Sequence, residues 1–319
     1  MPGYTLADGL TLKNKLRARN HGDLEIREAA PVARRILEIK AGFGPEETYD
    51  AAHLKALHHH IFQDVFEWSG HTRDERIQLS DSSVAYEPTL HKLAGKPFAP
   101  SPKIATALSD FTAAIRNADL TTETSREHFT KHAAILFSSL NTIHPFREGN
   151  GRTQRLFFEQ LASRAGHPID FNGITHRRMI DASVAAHEHG DISVLYRMLD
   201  EIANPSRSNI LREGLMKLTN AAQKFGWKNP NDAYVTTFTP GEIKTVTLAG
   251  IAGNQFMARS DNQIFFGRTI NLPRPLPTIG QQFTHHEPAG NDHPPDDPSD
   301  GLRKPHPAKK SSGKGGLGD

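Results

Sequence analysis

The chain is predicted to be mainly α-helical, with a small all-β domain behind the helices. Three observations predict this. Apolar residues recur at helical spacing from the N-terminal region to about residue 225. Over residues 234–283 the pattern changes to short runs of β-branched and aromatic residues, separated by Gly- and Asn-rich turns. Over residues 284–319 Pro, Gly, Asp and Lys prevail and the apolar pattern stops. The expected organisation is a helical domain at 1–226, a small β-barrel at 227–283 and a disordered tail at 284–319.

The helices are justified in order. Thr48 or Asp50 caps a helix that carries Leu54, Leu57, Ile61 and Val65. Thr124-Ser125-Arg126-Glu127 has capping-box spacing, and Phe129, Ala133, Leu136, Phe137 and Leu140 follow at helical intervals. That helix should be buried, run to about Thr142 and end before Pro145. Leu156, Phe157, Leu161 and Ala162 mark the next helix, closed by Gly166 and Pro168. A loop at 187–191 precedes a helix over 193–202. Asn204-Pro205 breaks it, and another helix is expected over 208–224. The β runs are Tyr234 to Phe238, Ile243 to Leu248, Gln255 to Ala258 and Ile264 to Phe266.

Composition sets bounds. The 319 residues contain 38 Lys and Arg against 36 Asp and Glu, so no nucleic-acid surface is demanded. No apolar run approaches the roughly 20 residues of a spanning helix, and the N-terminus has no signal-peptide pattern. Cysteine is absent, which removes disulfides and thiolate metal sites. His58-His59-His60 are consecutive on a helix and point in different directions, so they do not converge on one ion. His187 and His189 lack a third ligand nearby.

The most informative stretch is residues 144–155, His-Pro-Phe-Arg-Glu-Gly-Asn-Gly-Arg-Thr-Gln-Arg. It lies where a loop feeds a helix N-terminus. The first turn of a helix carries unpaired backbone N–H groups and partial positive charge. Glycines let the backbone approach an anion closely, so Gly149, Asn150 and Gly151 form a phosphate cradle. Arg152 and Arg155 share a helix face and reach successive phosphates with forked hydrogen bonds. Glu148 offers a hard oxygen ligand suited to Mg²⁺ on phosphate oxygens. His144 is the candidate general base, and Phe146 should anchor the loop in the core. A Gly-Asn-Gly turn, a His before Pro or an Arg pair is ordinary alone; their order and place in one string carry the signal.

The string matches the Fic signature His-x-Phe-x-Asp/Glu-Gly-Asn-Gly-Arg-x-x-Arg at every specified position, and the chain resembles that family. Leu12-Lys13-Asn14-Lys15-Leu16 is similar to a Leu-Lys-Asn-Lys segment of the Fic proteins related to Bartonella effectors. Asp64-Val65-Phe66-Glu67-Trp68-Ser69-Gly70 is similar to their Asp-Val-Tyr-Glu-Trp-Ala-Gly turn. The resemblance covers about residues 5–200. It implies a mostly helical domain that transfers AMP from ATP, with Mg²⁺, to a target hydroxyl. His144 would be the base and Glu148 the cation ligand. Gly149, Asn150, Gly151 and Arg152 would hold the α- and β-phosphates, and Arg155 the γ-phosphate. The acidic residue at 148 favours nucleotidyl transfer over the phosphate-transferring branch. A β-hairpin flap near 77–86 would dock an extended target segment through Ile77, Gln78, Leu79 and Ser80. The β region resembles the OB-fold that follows the Fic core in the effectors. Its strands carry few Lys or Arg beside the aromatics, which favours a docking or spacer role over nucleic-acid binding.

Partners follow from the same resemblance. Fic enzymes are often inhibited by a helix of pattern Ser/Thr-x-x-x-Glu-Gly/Asn. Here Glu213-Gly214 has Asn209 four residues upstream, and the Ser83–Glu87 spacing is followed by Pro88. The expectation is therefore a bacterial toxin held by a small separate antitoxin that supplies this helix. Family targets include ATPase subunits of bacterial type II topoisomerases and host small GTPases. The alternatives are a secreted effector with the same activity and a non-enzymatic interaction protein with a vestigial core. The expected location is the bacterial cytoplasm, or another cell reached by type IV secretion with the basic tail at 300–319 as signal.

Overall fold

The computed structural model describes residues 3–90, 95–226 and 228–289. Among them the helices are α1 (His21–Glu38), α2 (Ala51–Phe62), α3 (Ser101–Asn117), α4 (Arg126–Ile143), α5 (Asn150–Arg164), α6 (His176–His189), α7 (Ser193–Ala203) and α8 (Pro205–Phe225). Strands β1 (Ile77–Gln78) and β2 (Val84–Ala85) form an antiparallel hairpin between α2 and α3. Strands β3 (Tyr234–Thr237), β4 (Ile243–Ala252), β5 (Gln255–Ser260), β6 (Gln263–Arg268) and β7 (Gln282–His286) follow α8.

Helix α4 is the centre. It packs against α3, α5, α6 and α7, and its Phe129, Ala133, Leu136, Phe137 and Leu140 are all buried. Each such Leu or Phe contributes about 1.5–3 kcal/mol by leaving water. Its N-cap is Ser125, which accepts from His128 N, one residue later than the capping-box spacing suggests. The Thr124 hydroxyl is occupied elsewhere, accepting from Thr121 N at 3.0 Å. Asp50 caps α2 by accepting from His53 N.

Two helix boundaries differ from the sequence reading. Residues 187–189 are the last turn of α6, which stops at Gly190 in the left-handed region; three polar residues had looked like a loop. Asn204 and Pro205 begin α8 as N-cap and first residue. Pro fits there because its missing N–H has no intrahelical partner at N1.

The β region is a mixed sheet of order β3-β6-β5-β4-β7, with β3 parallel to β6 and the other pairs antiparallel. Strands β3 and β7 are its two ends and do not pair with each other among the described residues. The expected barrel is thus not closed by a ring of hydrogen bonds. Alternation shows where strands lie, not which edges meet. Strand β7 also carries order past residue 283, because Ile243 to Thr247 pair with Gln282 to His286. The tail expected from residue 284 lies, from 290 onward, outside the described residues, as does the basic segment 300–319.

The sheet has its own core of Phe238, Val246, Leu248, Phe256, Ala258, Phe265 and Leu272. Val235 and Phe266 instead belong to the helical core. Phe266 lies on α8 at Gly214, where a Cβ would stand 2.6 Å from the ring. A buried ion pair joins the regions. Glu201 of α7 accepts from Arg178 of α6, from Thr237 N and Oγ1 and from Thr236 Oγ1, while Arg178 Nη1 donates to Val235 O at 3.1 Å. Burial alone would raise the Glu201 carboxyl. The charges of Arg178 and Arg207 and the Thr237 hydrogen bonds outweigh it and hold it below the usual range.

Candidate active site

The loop between α4 and α5 is fixed by three groups outside it. Helix α4 ends at His144, whose φ of 47° and ψ of 61° are left-handed. Such a conformation is uncommon for a residue with a Cβ and is held only by its surroundings. Arg73, fully buried, supplies them: its Nε donates to His144 O at 2.9 Å, and its backbone N donates to Pro145 O at 2.8 Å. The other guanidinium nitrogens donate to the carbonyls of Ala99, Glu87 and Pro88.

His58 holds the second part. Its Nδ1 accepts from Gly70 N at 2.8 Å, so the neutral ring carries its proton on Nε2, which donates to Glu148 O at 3.0 Å. The ring stacks on Phe146 with centroids 3.8 Å apart, and Phe146 is buried in the core. Burial lowers the His58 pKa to about 3. The unfolded side chain titrates near 6.5, so the unfolded chain binds an extra proton between those values. Stability should therefore fall as pH drops through that window, by about 2 kcal/mol from pH 7 to 5. Urea midpoints measured across that range check it, and His58→Gln should flatten the dependence.

Asn150 is the third brace. Its Oδ1 accepts from Phe146 N at 2.9 Å and its Nδ2 donates to Phe146 O at 2.7 Å. The side chain is thus committed to shaping the loop, and its backbone N–H is the group it has for an anion. Gly149, at φ 84°, has no room for a side chain: a Cβ would lie 2.3 Å from the Phe62 ring. Gly149→Ala combines a left-handed penalty with overpacking. It is expected to cost at least about 2 kcal/mol, seen as a lower thermal midpoint, and to abolish binding of a non-hydrolysable ATP analogue.

These braces aim the motif into a cavity of about 570 Å³. His144, Glu148, Gly149, Gly151, Arg152 and Arg155 line it from one side, and Met179, Ile180 and Val184 of α6 line it from the other. A second cavity of about 420 Å³ adjoins it, sharing Arg152, Arg155, His176 and Met179. Gly149 and Gly151, at the start of α5, line this space, and the first turn of a helix leaves N–H groups unpaired. Arg152 lies over the Phe62 ring at 4.6 Å and is paired with Glu28 of α1 at 2.6 Å and with Glu148 at 3.5 Å. Arg155 has no carboxylate within ion-pair distance among the described residues. Burial and the neighbouring Arg152 charge lower its pKa from an already very high value, the Glu159 charge opposes them, and it remains a cation. Glu148 is half-exposed. One of its oxygens accepts from Gly149 N at 2.9 Å, and the other has no hydrogen-bond donor among the described residues.

The flap residues sit apart from this cavity. Ile77 and Gln78 form β1; Leu79 is buried and donates its N–H to Ser83 O; Ser80 is held by the Glu67 carboxylate. Among the consecutive histidines, His59 contacts Ser69 and His60 contacts Glu38, while His58 faces the motif. His187 contacts Lys96 O. Among the described residues no group of three His, Cys, Asp or Glu side chains is placed to hold a metal. Sequence reasoning missed Glu28, His58 as a brace, Arg73, Phe98 and His176. Each reaches the site by a long-range contact that no local spacing encodes.

Fold and site together define a helical domain in which a histidine, two glycines and two arginines line one cavity. Residues 48–162 match the Fic/DOC family. A protein adenylyltransferase of Bartonella henselae is 33% identical over 271 residues, which is 85% of this chain and 49% of that protein. The chain thus spans about half the length of that relative. A probable protein adenylyltransferase of Sinorhizobium fredii is 36% identical over 151 residues, covering 47% of this chain and 71% of the relative. Among solved structures, the type IV secretion system effector protein BepA matches with a TM-score of 0.82 and 31% identity, over 92% of this chain and 98% of that one. BepC of Bartonella tribocorum, with bound AMPPNP, matches at 0.60 and 32%, over 63% of this chain and 97% of that one. The chain belongs to the Fic/DOC family.

Proposed function

We propose that the chain is a protein adenylyltransferase, moving AMP from ATP to a Ser, Thr or Tyr hydroxyl of a target protein. The observation that carries this is His144 opening into the same cavity as the α5 N-terminus and Arg155. The names of its relatives and the AMPPNP bound to BepC support the nucleotide. Gly149, Asn150 through its backbone N–H, Gly151 and Arg152 bind the α- and β-phosphates, and Arg155 neutralises the γ-phosphate. Arg152 must then exchange Glu28 for phosphate. His144 takes the hydroxyl proton as the new oxygen–phosphorus bond forms at the α-phosphorus and pyrophosphate leaves. Glu148 fits a Mg²⁺, having a carboxylate oxygen without a donor beside the phosphate cradle. The ion would take its remaining ligands from phosphate and water, and when bound it offsets phosphate charge.

The target docks by strand addition on the flap. The N-terminal segment covers β2, since a Cβ at Gly3 would sit 1.9 Å from Val84 O. This leaves the β1 edge with Ile77 and Gln78, anchored by Leu79. A separate antitoxin silences the enzyme by giving Arg155 the carboxylate it lacks. The second reading, a secreted effector with the same chemistry, is favoured by the likeness to BepA over nearly all of that chain. Incubating the protein with a lysate and α- or γ-labelled ATP tests the activity. α-Label on a protein is the expected result. γ-Label alone means phosphate transfer, and no labelled protein in bacterial or host lysates means an interaction protein.

A further inference from the structure

The Phe98 ring lies flat on His144, with centroids 3.9 Å apart and planes 8° apart. Both residues are buried, at 6% and 7% exposure. Phe98 also lines the large cavity. Its segment is fastened from two sides. Ala99 N donates to Thr142 O at 3.1 Å on α4. Lys96 N donates to both Glu188 oxygens at 3.0 Å, and His187 Nε2 donates to Lys96 O at 3.0 Å, both on α6. His187 packs on Phe98 with centroids 5.0 Å apart. Arg73 donates both to Ala99 O and to His144 O, so the phenyl and the imidazole hang from one buried guanidinium.

We propose that Phe98 is a positioning residue for His144, holding the imidazole in plane and stabilising the imidazolium that forms during transfer. The inference rests on the adenylyltransferase reading. In that step the target hydroxyl gives its proton to His144, its oxygen bonds the α-phosphorus, and the bond to pyrophosphate breaks. His144 therefore gains positive charge in the transition state. The charges around it oppose one another: Arg152 and Arg155 on α5 and Arg73 at its carbonyl disfavour a cation, Glu148 and Glu188 favour one, and His187 lies across the phenyl ring. A π face parallel to the imidazole favours the cation without adding a charge that would repel phosphate. It also prevents the ring from turning away.

The test compares Phe98→Leu, which keeps apolar bulk without a π face, with Phe98→Tyr, which keeps the ring. NMR of ¹³Cε1-labelled histidine reads the His144 pKa without needing activity, with the signal assigned by its loss in His144→Ala. Phe98→Leu should lower that pKa by about one unit and kcat about tenfold, with KM for ATP within about twofold; Phe98→Tyr should restore both. In wild-type protein the His144 Hε1 resonance should be shifted upfield by the phenyl ring current, a readout independent of any variant's folding. An unshifted resonance, an unmoved pKa in Phe98→Leu, or a change confined to KM overturns the proposal. A moved pKa in a protein that labels no target supports the stack and removes the adenylyltransferase reading. Labelled target with an unmoved pKa does the reverse.

Discussion

Replacing His144 with alanine is expected to lower AMP transfer by about 10³-fold while leaving fold and nucleotide binding intact. The loop has braces other than the imidazole. Arg73 grips the backbone carbonyls of residues 144 and 145, His58 grips Glu148 O, and Asn150 grips Phe146. The groups proposed to hold phosphate, Arg152, Arg155 and the α5 N-terminus, are likewise untouched. KM for ATP should change little while kcat collapses, the signature of an interaction made only in the transition state. Label transfer from α-labelled ATP reads the first effect, and titration with a non-hydrolysable analogue reads the second. A variant that keeps even a tenth of the activity would remove His144 from the base role.

Glu201→Ala is expected to destabilise the protein by about 3–5 kcal/mol. Glu201 is fully buried, and its loss strands the Arg178 guanidinium and the N–H and hydroxyl of Thr237. The damage should concentrate where β3 meets α6 and α7, so hydrogen exchange should speed up over residues 234–237. The wild-type pair has a pH signature. The folded carboxyl titrates below its unfolded value of about 4.3, so its stabilisation is complete above that value. It is lost as pH falls through the folded pKa. Urea midpoints of wild type and Glu201→Ala should therefore converge in acid. Parallel curves would mean that the carboxylate contributes nothing as an ion.

Much of this was legible in local sequence. Helix α4 was readable because its core residues repeat at helical spacing, and the loop-to-helix junction because Pro145 and Gly149 punctuate it. The β runs were readable as strands, but which edges pair depends on contacts far apart in the chain, so the sheet order was not. Of the motif, the spacing placed His144, Glu148, Arg152 and Arg155 on one cavity. It did not show that the Asn150 side chain braces Phe146, since nothing in a Gly-Asn-Gly string says whether the amide faces a ligand or its own loop. Arg73, His58 and Glu28 were invisible for a related reason. Their importance lies in carbonyls and guanidinium groups they meet only after folding. The three consecutive histidines looked alike in sequence, yet of the three only His58 is fully buried.

The central claim is that one loop holds a triphosphate while His144 receives a proton beside it. A crystal structure with a non-hydrolysable ATP analogue and Mg²⁺ tests it most directly. Phosphates are expected over Gly149 and Gly151, with Arg152 released from Glu28, Arg155 on the terminal phosphate, Mg²⁺ on Glu148, and His144 facing the α-phosphorus. Nucleotide bound elsewhere, or bound here with Arg152 still on Glu28 and His144 remote from the α-phosphorus, would contradict it.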